Sequence, residues 1–564
     1  MMWENFTEAL YTVFQLKTML LMFLGTGAGL IAGAIPGFTI AMAVILTLPF
    51  TFSMPPLQGL ATMIGVFVGG LSGGLMSGIL TGIPGTPSSI ATTFDGFTMA
   101  RAGRPGLALG LGVWSSFFGG LISAVALVLL APLLADLGLE FGPWDYFSLV
   151  LFALTITASL AGTNMLKGLI AGVIGLLVRT IGEDDINGIA RLNFGMDSLK
   201  AGFQFLPVLI GLFAFGQLLS DVKDRVRARQ PLMADTGKAV KVEHLEAIKT
   251  IFRSWINLLR SSAIGIFVGV LPAAGGSISN ILAYDQAKKA SKTPEKFGTG
   301  TADGIIAPES ANNATAGGAL MILMALGIPG DVVAAVMLGA LLIHDVVPSP
   351  SFITDNAVLA YGIFIAFFLA HPIMIMLQAV CLRGFLLVTR VPMYTLAAVI
   401  LAYCAIGVFA LENSTHDLWT VLIFGVVGYA MRVLKFPIAP MILGVVLGNM
   451  AELNLSRAYA TASDMTMFVS WFVLRPWSAF FLLLGVFSVG FPWYQQAYGK
   501  KKWTLVYIPL MAMFLALPMF FMQGKVRTFV AAALLVWAAY ALWKRHRGGW
   551  KLEAVDNHFA EIKG

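Results

Sequence analysis

The chain has 564 residues, of which 58% are hydrophobic and only 12% are charged, and its mean hydropathy is +0.84. A soluble protein carries roughly 25% charged residues to cover its surface, so this composition excludes a string of soluble domains. The formal charge of +7 does not indicate nucleic-acid binding, because the lysines and arginines lie beside apolar segments, where they mark the cytoplasmic side of a membrane. The composition therefore predicts an all-α polytopic membrane protein in a lipid bilayer.

Apolar stretches long enough to cross a membrane, about 20 residues each, follow one another along nearly the whole chain. The clearest predicted spans lie near residues 60–80, 107–137, 146–161, 165–178, 203–219, 332–343, 362–387, 394–410, 418–433 and 477–489. Two more are predicted at 504–522 and 527–543, which gives about 12 transmembrane helices, besides re-entrant hairpins. The first residues include Glu4 and Glu8 and no basic segment, so no removable signal peptide is expected.

A hydrophilic segment divides the chain into two halves. Residues 223–260 contain nine lysines or arginines against four acidic residues, which predicts a basic cytoplasmic linker. A first transmembrane repeat is expected at 1–222 and a second at 261–495. Residues 496–564 follow as a two-helix extension with a polar tail.

The two halves repeat the same glycine and proline motifs. The pattern G-x3-G-x-[IL]-P occurs at residues 29–36 and again at 265–272, and a Gly-Ile-Pro-Gly motif follows each of them, at 82–85 and 327–330. Paired helix breaks at corresponding places in two halves are typical of the binding site of a secondary transporter. We therefore expect two structural repeats.

Pro36 and Pro272 each interrupt about 30 apolar residues, too few for two full spans and awkward for one straight helix. A re-entrant hairpin is predicted around each proline. Arg260 before the second hairpin and several lysines after it place both of its ends in the cytoplasm. In the first half, Arg101 and Arg104 instead follow the Gly-Ile-Pro-Gly motif. This reversed charge asymmetry predicts repeats of inverted topology.

Polar residues beside the breaks are the candidates for binding, because a broken helix offers free N–H groups and hydroxyls that can hold a carboxylate. The candidate substrate-binding residues are Gly37, Pro84, Gly85, Thr86, Ser88, Ser89, Ser277, Asn280, Asn312, Asn313, Pro329 and Gly330. Asp95 and Glu309 are candidates for ion coupling, since a carboxylate in such apolar surroundings is costly unless it is paired or binds a cation. The alternative is that the glycines and prolines only kink and pack helices, with both carboxylates in hydrated loops.

An enzyme is a further alternative, because residues 70–74 match G-x-S-x-G, the motif around a nucleophilic serine. An intramembrane serine protease would need Ser72 beside a histidine such as His344 or His371. Both histidines are interpreted more simply as interfacial or capping residues, and nothing in the sequence places either near Ser72. The sequence has no metalloprotease, Walker or haem motif, so no cofactor and no direct use of ATP are expected.

Taken together, these ordered motifs resemble the large membrane subunit of the tripartite tricarboxylate transporters, the TctA-type family. The similarity covers roughly residues 20–490. It is carried by Gly33-x-x-Pro36-Gly37, Gly73-Gly74, residues 84–89, Asp95-Gly96, Pro308-Glu309-x-x-Asn312-Asn313, Gly317-Gly318, residues 326–330, Pro437-x-x-Pro440, Glu452-x-Asn454 and Arg475-Pro476. The chain departs from the family pattern at Pro348-Ser349-Pro350, where Pro-Gly-Pro is usual, and the resemblance stops near residue 495.

The resemblance implies a permease, not an enzyme, that imports a tricarboxylate, dicarboxylate or related carboxylate across a bacterial inner membrane by symport with Na⁺ or H⁺. It implies two partners, a periplasmic solute-binding protein and a small membrane subunit. A stand-alone carboxylate carrier or channel without a binding protein is the alternative. We hypothesise that both hairpins and both Gly-Ile-Pro-Gly motifs converge near the middle of the membrane. There Ser88, Ser89, Asn312 and Asn313 would hold the substrate, and a carboxylate would help bind the cation.

Overall fold

The computed structural model describes residues 2–35, 38–160, 164–184, 188–222, 241–272, 274–388 and 393–550. In this part of the chain the regular structure is helical, apart from one short antiparallel pair of strands. The strands are β1 (Gly182–Glu183) and β2 (Ala190–Arg191), with Gly182 opposite Arg191.

The first half contains ten of the helices described. They are α1 (Met2–Val13), α2 (Leu16–Ala34), α3 (Ile40–Thr51), α4 (Pro56–Thr81), α5 (Ile90–Arg101), α6 (Pro105–Gly138), α7 (Pro143–Leu160), α8 (Met165–Arg179), α9 (Phe205–Leu209) and α10 (Gly216–Val222). A 3₁₀ turn at Pro87–Ser89 leads into α5, and a π-helical segment at Ile210–Phe215 joins α9 to α10.

The helices after the linker complete the fold. They are α11 (His244–Arg253), α12 (Trp255–Val270), α13 (Gly275–Ala290), α14 (Asp303–Leu326), α15 (Val332–Ile343), α16 (Phe352–Asp355), α17 (Ala357–Val388), α18 (Met393–Glu412), α19 (Thr415–Val433), α20 (Ile438–Thr461), α21 (Met465–Leu474), α22 (Pro476–Ala497), α23 (Thr504–Met519) and α24 (Lys525–Arg547).

Many of these helices are long and apolar enough for a bilayer. Seven qualify as membrane spans by length and composition among the residues described, and seven more apolar helices are shorter. The seven spans are Leu16–Ala34, Pro56–Thr81, Pro105–Gly138, Ala357–Val380, Ile438–Thr461, Pro476–Ala497 and Lys525–Arg547. The architecture is thus that of an all-α polytopic membrane protein. The expected number of about 12 spans stays a prediction.

The chain breaks at both places where the sequence predicts a hairpin. Ile35 leaves α2 in an extended conformation, and Leu271 does the same at the end of α12. Helix α12 has 16 residues, about 24 Å, which is shorter than a hydrocarbon core of about 30 Å. Pro272 lies in the second break, whereas Pro36 and Gly37 lie outside the described residues. Re-entrant geometry and inverted topology stay predictions.

Each Gly-Ile-Pro-Gly motif ends a long buried helix in the same way. Helix α4 ends at Gly82, with φ 76°, and α14 ends at Gly327, with φ 72°. Glycine is the residue best suited to this left-handed conformation, because it has no Cβ to collide with the following carbonyl. In both halves, therefore, the helix break is determined by a glycine of the motif itself, and the two glycines have the same left-handed conformation.

The two motifs also make corresponding close approaches. A Cβ on Gly85 would collide with the carbonyl oxygen of Gly33, and a Cβ on Gly330 would collide with the carbonyl oxygen of Gly269. In each half the Gly-Ile-Pro-Gly loop thus packs against the end of the helix that carries the G-x3-G pattern. Backbone contacts of this kind are open only to residues without a side chain.

Helices α4 and α14 form the centre of the molecule. Both are buried along nearly their whole length, α4 against α2 and α17, and α14 against α6, α12 and α13. The two helices also contact each other, and they contain Ser72 and Glu309 respectively. Polar groups on these helices are therefore remote from both lipid and bulk water.

The described end of the linker is attached to the first half. Arg104 pairs with Glu246 at 2.6 Å and with Glu243 at 3.4 Å, and the indole N–H of Trp114 donates to His244 Nδ1 at 3.1 Å. The hydrogen bond from Arg104 lowers the pKa of the Glu246 carboxyl. Helix α11 thereby lies against α6, while residues 223–240 of the predicted basic linker lie outside the described part.

The part of the C-terminal extension that the structure describes contains the helices α23 and α24. Helix α23 packs on α22, where Tyr494 and Tyr507 stack with ring centroids 4.8 Å apart. Arg527, on α24, donates two hydrogen bonds to Glu140, at 2.5 and 2.7 Å, which lower the pKa of that carboxyl. The extension is therefore held to the first half by an ion pair as well as by apolar packing.

Candidate functional site

Glu309 lies on α14 and is completely buried. Thr92 Oγ1, on α5, donates to one carboxylate oxygen at 2.5 Å, and Ser116 Oγ, on α6, donates to the other at 2.9 Å. No lysine, arginine or histidine in the described part of the chain forms an ion pair with it. A buried carboxylate with only hydroxyl partners is well suited to take up a proton or a cation, because neither partner supplies a compensating charge.

Asn280, on α13, connects that helix to this carboxylate. Its amide nitrogen donates to Thr92 Oγ1 at 3.3 Å, and its carbonyl oxygen accepts from the backbone N–H of Ala91 at 2.8 Å. A continuous chain of hydrogen bonds thus runs from α13 through α5 to Glu309. The N–H of Ala91, in the first turn of α5, is therefore already occupied by a side-chain oxygen.

Asn312 presents an unused acceptor at the meeting point of the two halves. Its amide nitrogen donates to the carbonyl of Leu71 at 3.0 Å, while its Oδ1 atom is buried and has no hydrogen-bond partner among the described residues. A Cβ on Gly276 would lie 2.5 Å from this oxygen and 3.0 Å from Ser88 Cβ. The structure therefore brings Asn312, Ser88 and the start of α13 together. Buried acceptors usually have a hydrogen-bond partner, so the Asn312 oxygen is a candidate for contact with a ligand.

The hydroxyls that follow the first Gly-Ile-Pro-Gly motif form a small buried cluster. Thr86 Oγ1 lies 3.1 Å from both Ser88 Oγ and Ser89 Oγ. Each hydroxyl can donate or accept, so the cluster can reorient towards a bound anion. Of these three residues, Ser88 is the one that reaches the neighbourhood of Asn312.

The other predicted binding residues have mainly structural contacts. Gly85 and Gly330 make the backbone approaches described above, Pro329 is buried beside Gly330, and Pro84 and Ser277 are half-buried. Gly37 lies outside the described residues.

Asn313 joins the central helices of the two halves. Its amide nitrogen donates to Ser72 Oγ at 2.9 Å, and the Ser72 hydroxyl in turn lies 3.3 Å from Asn313 Oδ1. The side-chain nitrogen of Gln378 donates to the Ser72 carbonyl at 3.2 Å. Both polar atoms of Asn313 are thus engaged with α4, an arrangement that favours a structural role for this residue.

Asp95 is also completely buried, but its surroundings differ from those of Glu309. Its carboxylate accepts hydrogen bonds from the backbone N–H groups of Gly298, Gly300 and Thr301, at 2.8 to 3.0 Å, and from the Tyr284 hydroxyl at 2.9 Å. Four donors therefore surround it, of which the three backbone groups attach α5 to the loop before α14 and Tyr284 attaches it to α13. The alternative that placed both candidate carboxylates in hydrated loops is wrong, because both lie inside the packed helices.

Sequence reasoning missed the three side chains that donate to the candidate carboxylates, namely those of Thr92, Ser116 and Tyr284. Ser116 follows Ser115 in the middle of a 34-residue apolar helix, and such a polar pair in a membrane span is itself a signal. Thr92 lies three residues before Asp95 on the same helix, within the first-half motif. Tyr284 carries no comparable signal, because an aromatic residue in a membrane helix is common.

The arrangement around Ser72 does not resemble a catalytic pair. The Ser72 hydroxyl is hydrogen bonded to Asn313, and no hydrogen bond joins it to His344 or His371 in the described part of the chain. His371 is fully buried within α17, and its Nδ1 atom bonds the carbonyl of Phe367 at 2.8 Å. The interpretation of His371 as an interfacial residue is therefore wrong. Within the described residues no group of three or more His, Cys, Asp or Glu side chains is placed to hold a metal ion.

A cavity of about 490 Å³ lies away from these residues. It is lined by residues of α8, α9, α15, α18, α19 and α20, together with Phe52 and the two residues before α9, and it shares none with the cluster around Glu309. The candidate site is thus made of buried polar contacts, and this cavity lies apart from it.

Helices that break beside a buried carboxylate are typical of membrane transporters. The comparison with known families agrees with this class. Residues 19–443 match the family described as Tripartite tricarboxylate transporter TctA family, and the chain belongs to it. The protein is accordingly a multi-pass membrane component of tripartite tricarboxylate transport.

Two curated relatives come from Agrobacterium vitis. One, described as "Uncharacterized 52.8 kDa protein in TAR-I ttuC' 3'region", is 32% identical over 469 residues, which cover 83% of this chain and 91% of the relative. The other, "Uncharacterized protein in TAR-II ttuC' 3'region", is 31% identical over 226 residues, 40% of this chain and 92% of the relative. No solved structure matches the chain. The extension formed by α23 and α24 lies beyond the family match.

Proposed function

We propose that this protein is the permease subunit of a binding-protein-dependent secondary transporter in a bacterial inner membrane. It imports a small organic acid, a tricarboxylate, dicarboxylate or related carboxylate, by symport with Na⁺ or H⁺. It receives the acid from a periplasmic solute-binding protein and works with a small membrane subunit, the two partners that membership of a tripartite family implies.

The observation that carries this proposal is the environment of Glu309. Its carboxylate is buried at the junction of α5, α6 and α14, and only the hydroxyls of Thr92 and Ser116 bond to it in the described structure. Leaving a buried carboxylate charged and unpaired costs several kilocalories per mole, so binding a proton or cation there is strongly favoured. Glu309 is therefore the proposed coupling residue.

Asn312 supplies a second oxygen for the coupling cation. It lies three residues after Glu309 on α14, a spacing that places both side chains on one face of the helix. The partnerless Asn312 Oδ1 and the Glu309 carboxylate are both hard oxygen ligands of the type that alkali and alkaline-earth cations prefer. Both hold a cation in the proposed mechanism, whereas coupling by H⁺ would need Glu309 alone.

Substrate binding is assigned to the hydroxyl cluster of Thr86, Ser88 and Ser89. Ser88 and Asn312 both contact Gly276, so an acid held at Ser88 lies next to the proposed cation. A bound cation would then offset the negative charge of the substrate, which makes binding of the two ligands cooperative. Asp95, surrounded by four donors, is assigned the structural task of holding α5 to the loop before α14.

Uptake by proteoliposomes tests the proposal. The purified chain and the small membrane subunit are reconstituted, and uptake of labelled citrate and other organic acids is measured with a Na⁺ gradient, a pH gradient or neither. A candidate solute-binding protein is added or omitted in each case. Gradient-driven uptake that requires the binding protein is the expected result, and the effective gradient identifies the coupling ion.

Two other outcomes would change the assignment. Gradient-driven uptake without any binding protein would point to a stand-alone carrier. Uptake that equilibrates the acid without responding to either gradient would point to a channel and would remove Glu309 from the mechanism.

A further inference from the structure

The loop between α8 and α9 exposes four large apolar side chains within a short stretch. They are Ile189, Leu192, Phe194 and Met196, and Phe194 is 75% exposed. The described part of this loop has little regular structure, apart from β1, β2 and a 3₁₀ turn at Asp197–Leu199. Single exposed apolar residues are common on proteins, whereas a group of them in contact with water marks a surface that binds a partner. We call these four residues the loop patch.

The loop patch lies outside the hydrocarbon core of the membrane. Non-helical backbone does not face lipid at that depth, because its N–H and C=O groups would have no water to bond. Asp197 and Lys200, in the same loop, pair at 2.8 Å, and their side chains are 91% and 54% exposed. Exposed charges of this kind are equally unsuited to hydrocarbon. Lipid tails therefore do not cover the patch.

Both helices that flank the loop have their other ends beside basic residues. Helix α8 begins next to Lys167, whose ammonium group donates to the carbonyl of Leu434, and Lys435 follows that residue. The apolar helix Phe205–Ser220, which includes α9, leads into residues 223–260 with their nine lysines or arginines. Because basic residues mark the cytoplasmic ends of membrane helices, the loop is assigned to the periplasmic side.

The loop is fixed at several points, so the patch is ordered before any partner binds. The backbone N–H of Glu183 donates to the carbonyl of Lys200 at 2.8 Å, beside the pairing of β1 with β2. The guanidinium of Arg191 donates two hydrogen bonds to the carboxylate of Glu452, on α20. A surface that is ordered in advance loses less conformational entropy on binding than a flexible one does.

Two residues of the patch have a backbone conformation that is unfavourable for their type. Leu192 and Phe194 both have φ 51°, in the left-handed region that glycine adopts readily and bulky residues rarely adopt. Such conformations cost free energy and are concentrated at functional sites. The leucine and the phenylalanine therefore destabilise the loop of the free protein, and contacts with a partner can offset that cost.

We propose that the loop patch is the docking surface for the periplasmic solute-binding protein. The inference rests on the proposed function, which supplies that partner. Residues 180–204 contain four acidic and two basic residues, so an anionic lipid surface repels this loop. A soluble protein with an apolar hollow bordered by lysines or arginines fits both the patch and its charge. Phe194 is the main anchor, since aromatic residues dominate the binding energy of many interfaces.

Binding of the purified solute-binding protein tests the proposal. The probe is the solute-binding protein that supports uptake by proteoliposomes, and the full-length chain is held with the small subunit in lipid nanodiscs. Phe194→Asp should raise the Kd at least tenfold. Leu245→Asp is the matched control, because this leucine is also 75% exposed but lies on α11, in the predicted cytoplasmic linker. An unchanged Kd in Phe194→Asp would overturn the proposal.

A second variant, Phe194→Gly, separates binding from folding. Glycine adopts the left-handed conformation without strain, so the temperature of thermal unfolding should stay close to that of the wild type. The Kd should still rise at least tenfold, because the ring is gone. Loss of stability together with binding would mean that the ring supports the loop, and it would contradict a docking role.

A fluorescent label shows whether anything else covers the patch. Met196→Cys is prepared with Cys381 and Cys404 replaced by alanine and is labelled with bimane, whose emission shifts to the blue in apolar surroundings. In nanodiscs alone the emission should correspond to water, and the solute-binding protein should shift it to the blue. Apolar emission before that protein is added would mean that lipid headgroups or a second copy of the chain cover the patch, and would overturn the proposal.

The remaining outcomes distinguish this inference from the proposed function. If uptake requires the solute-binding protein and Phe194→Gly binds it and transports as the wild type does, the docking surface is overturned and the transport function stands. If no solute-binding protein supports uptake under any gradient, both are overturned.

Discussion

Asp95 and Glu309 are two completely buried carboxylates in one protein, and they have opposite surroundings. Asp95 accepts hydrogen bonds from three backbone N–H groups and a tyrosine hydroxyl. Glu309 has only the hydroxyls of Thr92 and Ser116 in the described structure. The three backbone N–H groups around Asp95 point at it permanently, whereas the hydroxyls at Glu309 can turn away and let their oxygens face a cation.

The difference teaches that burial alone does not identify a coupling residue. A carboxylate surrounded by N–H groups is stable when charged, because its oxygens already accept hydrogen bonds, and this arrangement suits a structural anchor. A carboxylate among hydroxyls is unfavourable when it is charged and has no ion bound to it. Binding of the coupling ion removes this unfavourable charge. The predictions below separate the two roles, in order of decreasing effect.

Replacing Glu309 by Gln should have the largest effect on transport. The amide keeps the volume of the side chain but cannot be protonated or compensate a cation, so gradient-driven uptake should fall by about 100-fold. Uptake by proteoliposomes under the effective gradient measures this. Ser310→Ala is the control, because in the described structure that hydroxyl bonds the backbone of its own helix. Unchanged ion dependence in Glu309→Gln would remove this residue from the mechanism.

Replacing Asp95 by Asn should mainly affect stability. The amide group would face N–H donors, and the loss of charge-assisted bonds should lower the free energy of unfolding by about 3 kcal/mol. Thermal unfolding of the purified protein, compared with Glu309→Gln, measures the effect. A stable Asp95→Asn protein that has lost ion dependence would reverse the two roles.

Replacing Thr92 by Val should weaken the coupling site without abolishing it. The change removes the hydroxyl between Asn280 and Glu309, so the apparent affinity for the coupling ion should fall about fivefold to tenfold. Uptake measured against ion concentration gives this value. Thr93→Val is a suitable control, since the Thr93 hydroxyl bonds the backbone of Ile90. Equal effects of both substitutions would argue against a specific role of Thr92.

Replacing Tyr284 by Phe should have the smallest effect. It removes one of four donors to Asp95 and should cost about 1 kcal/mol of stability, with ion dependence unchanged. A double-mutant cycle with Asp95→Asn measures the coupling between them, and the two losses should be less than additive. Fully additive losses would mean that the hydrogen bond contributes nothing.

Much of the helical framework could be predicted from the sequence. The apolar stretches correspond to helices, the breaks after Ala34 and Val270 occur where the prolines are, and the glycines at 82 and 327 end α4 and α14. Each of these features depends on neighbouring residues, on hydropathy over one helix or on the backbone freedom of a single glycine. The family resemblance also followed from ordered local motifs, and the match over residues 19–443 confirms it.

The sequence also indicated Asp95 and Glu309 as unusual, because a carboxylate in an apolar, glycine-rich segment is costly wherever it lies. The sequence could not show that the two carboxylates have different hydrogen-bond partners. The donors around Asp95 lie more than 180 positions further along the chain, and Thr92 is 217 positions from Glu309. Local sequence determined which residues are polar and where the helices break, whereas only the packing of α5, α6, α13 and α14 decided which carboxylate is surrounded by N–H groups and which by hydroxyls.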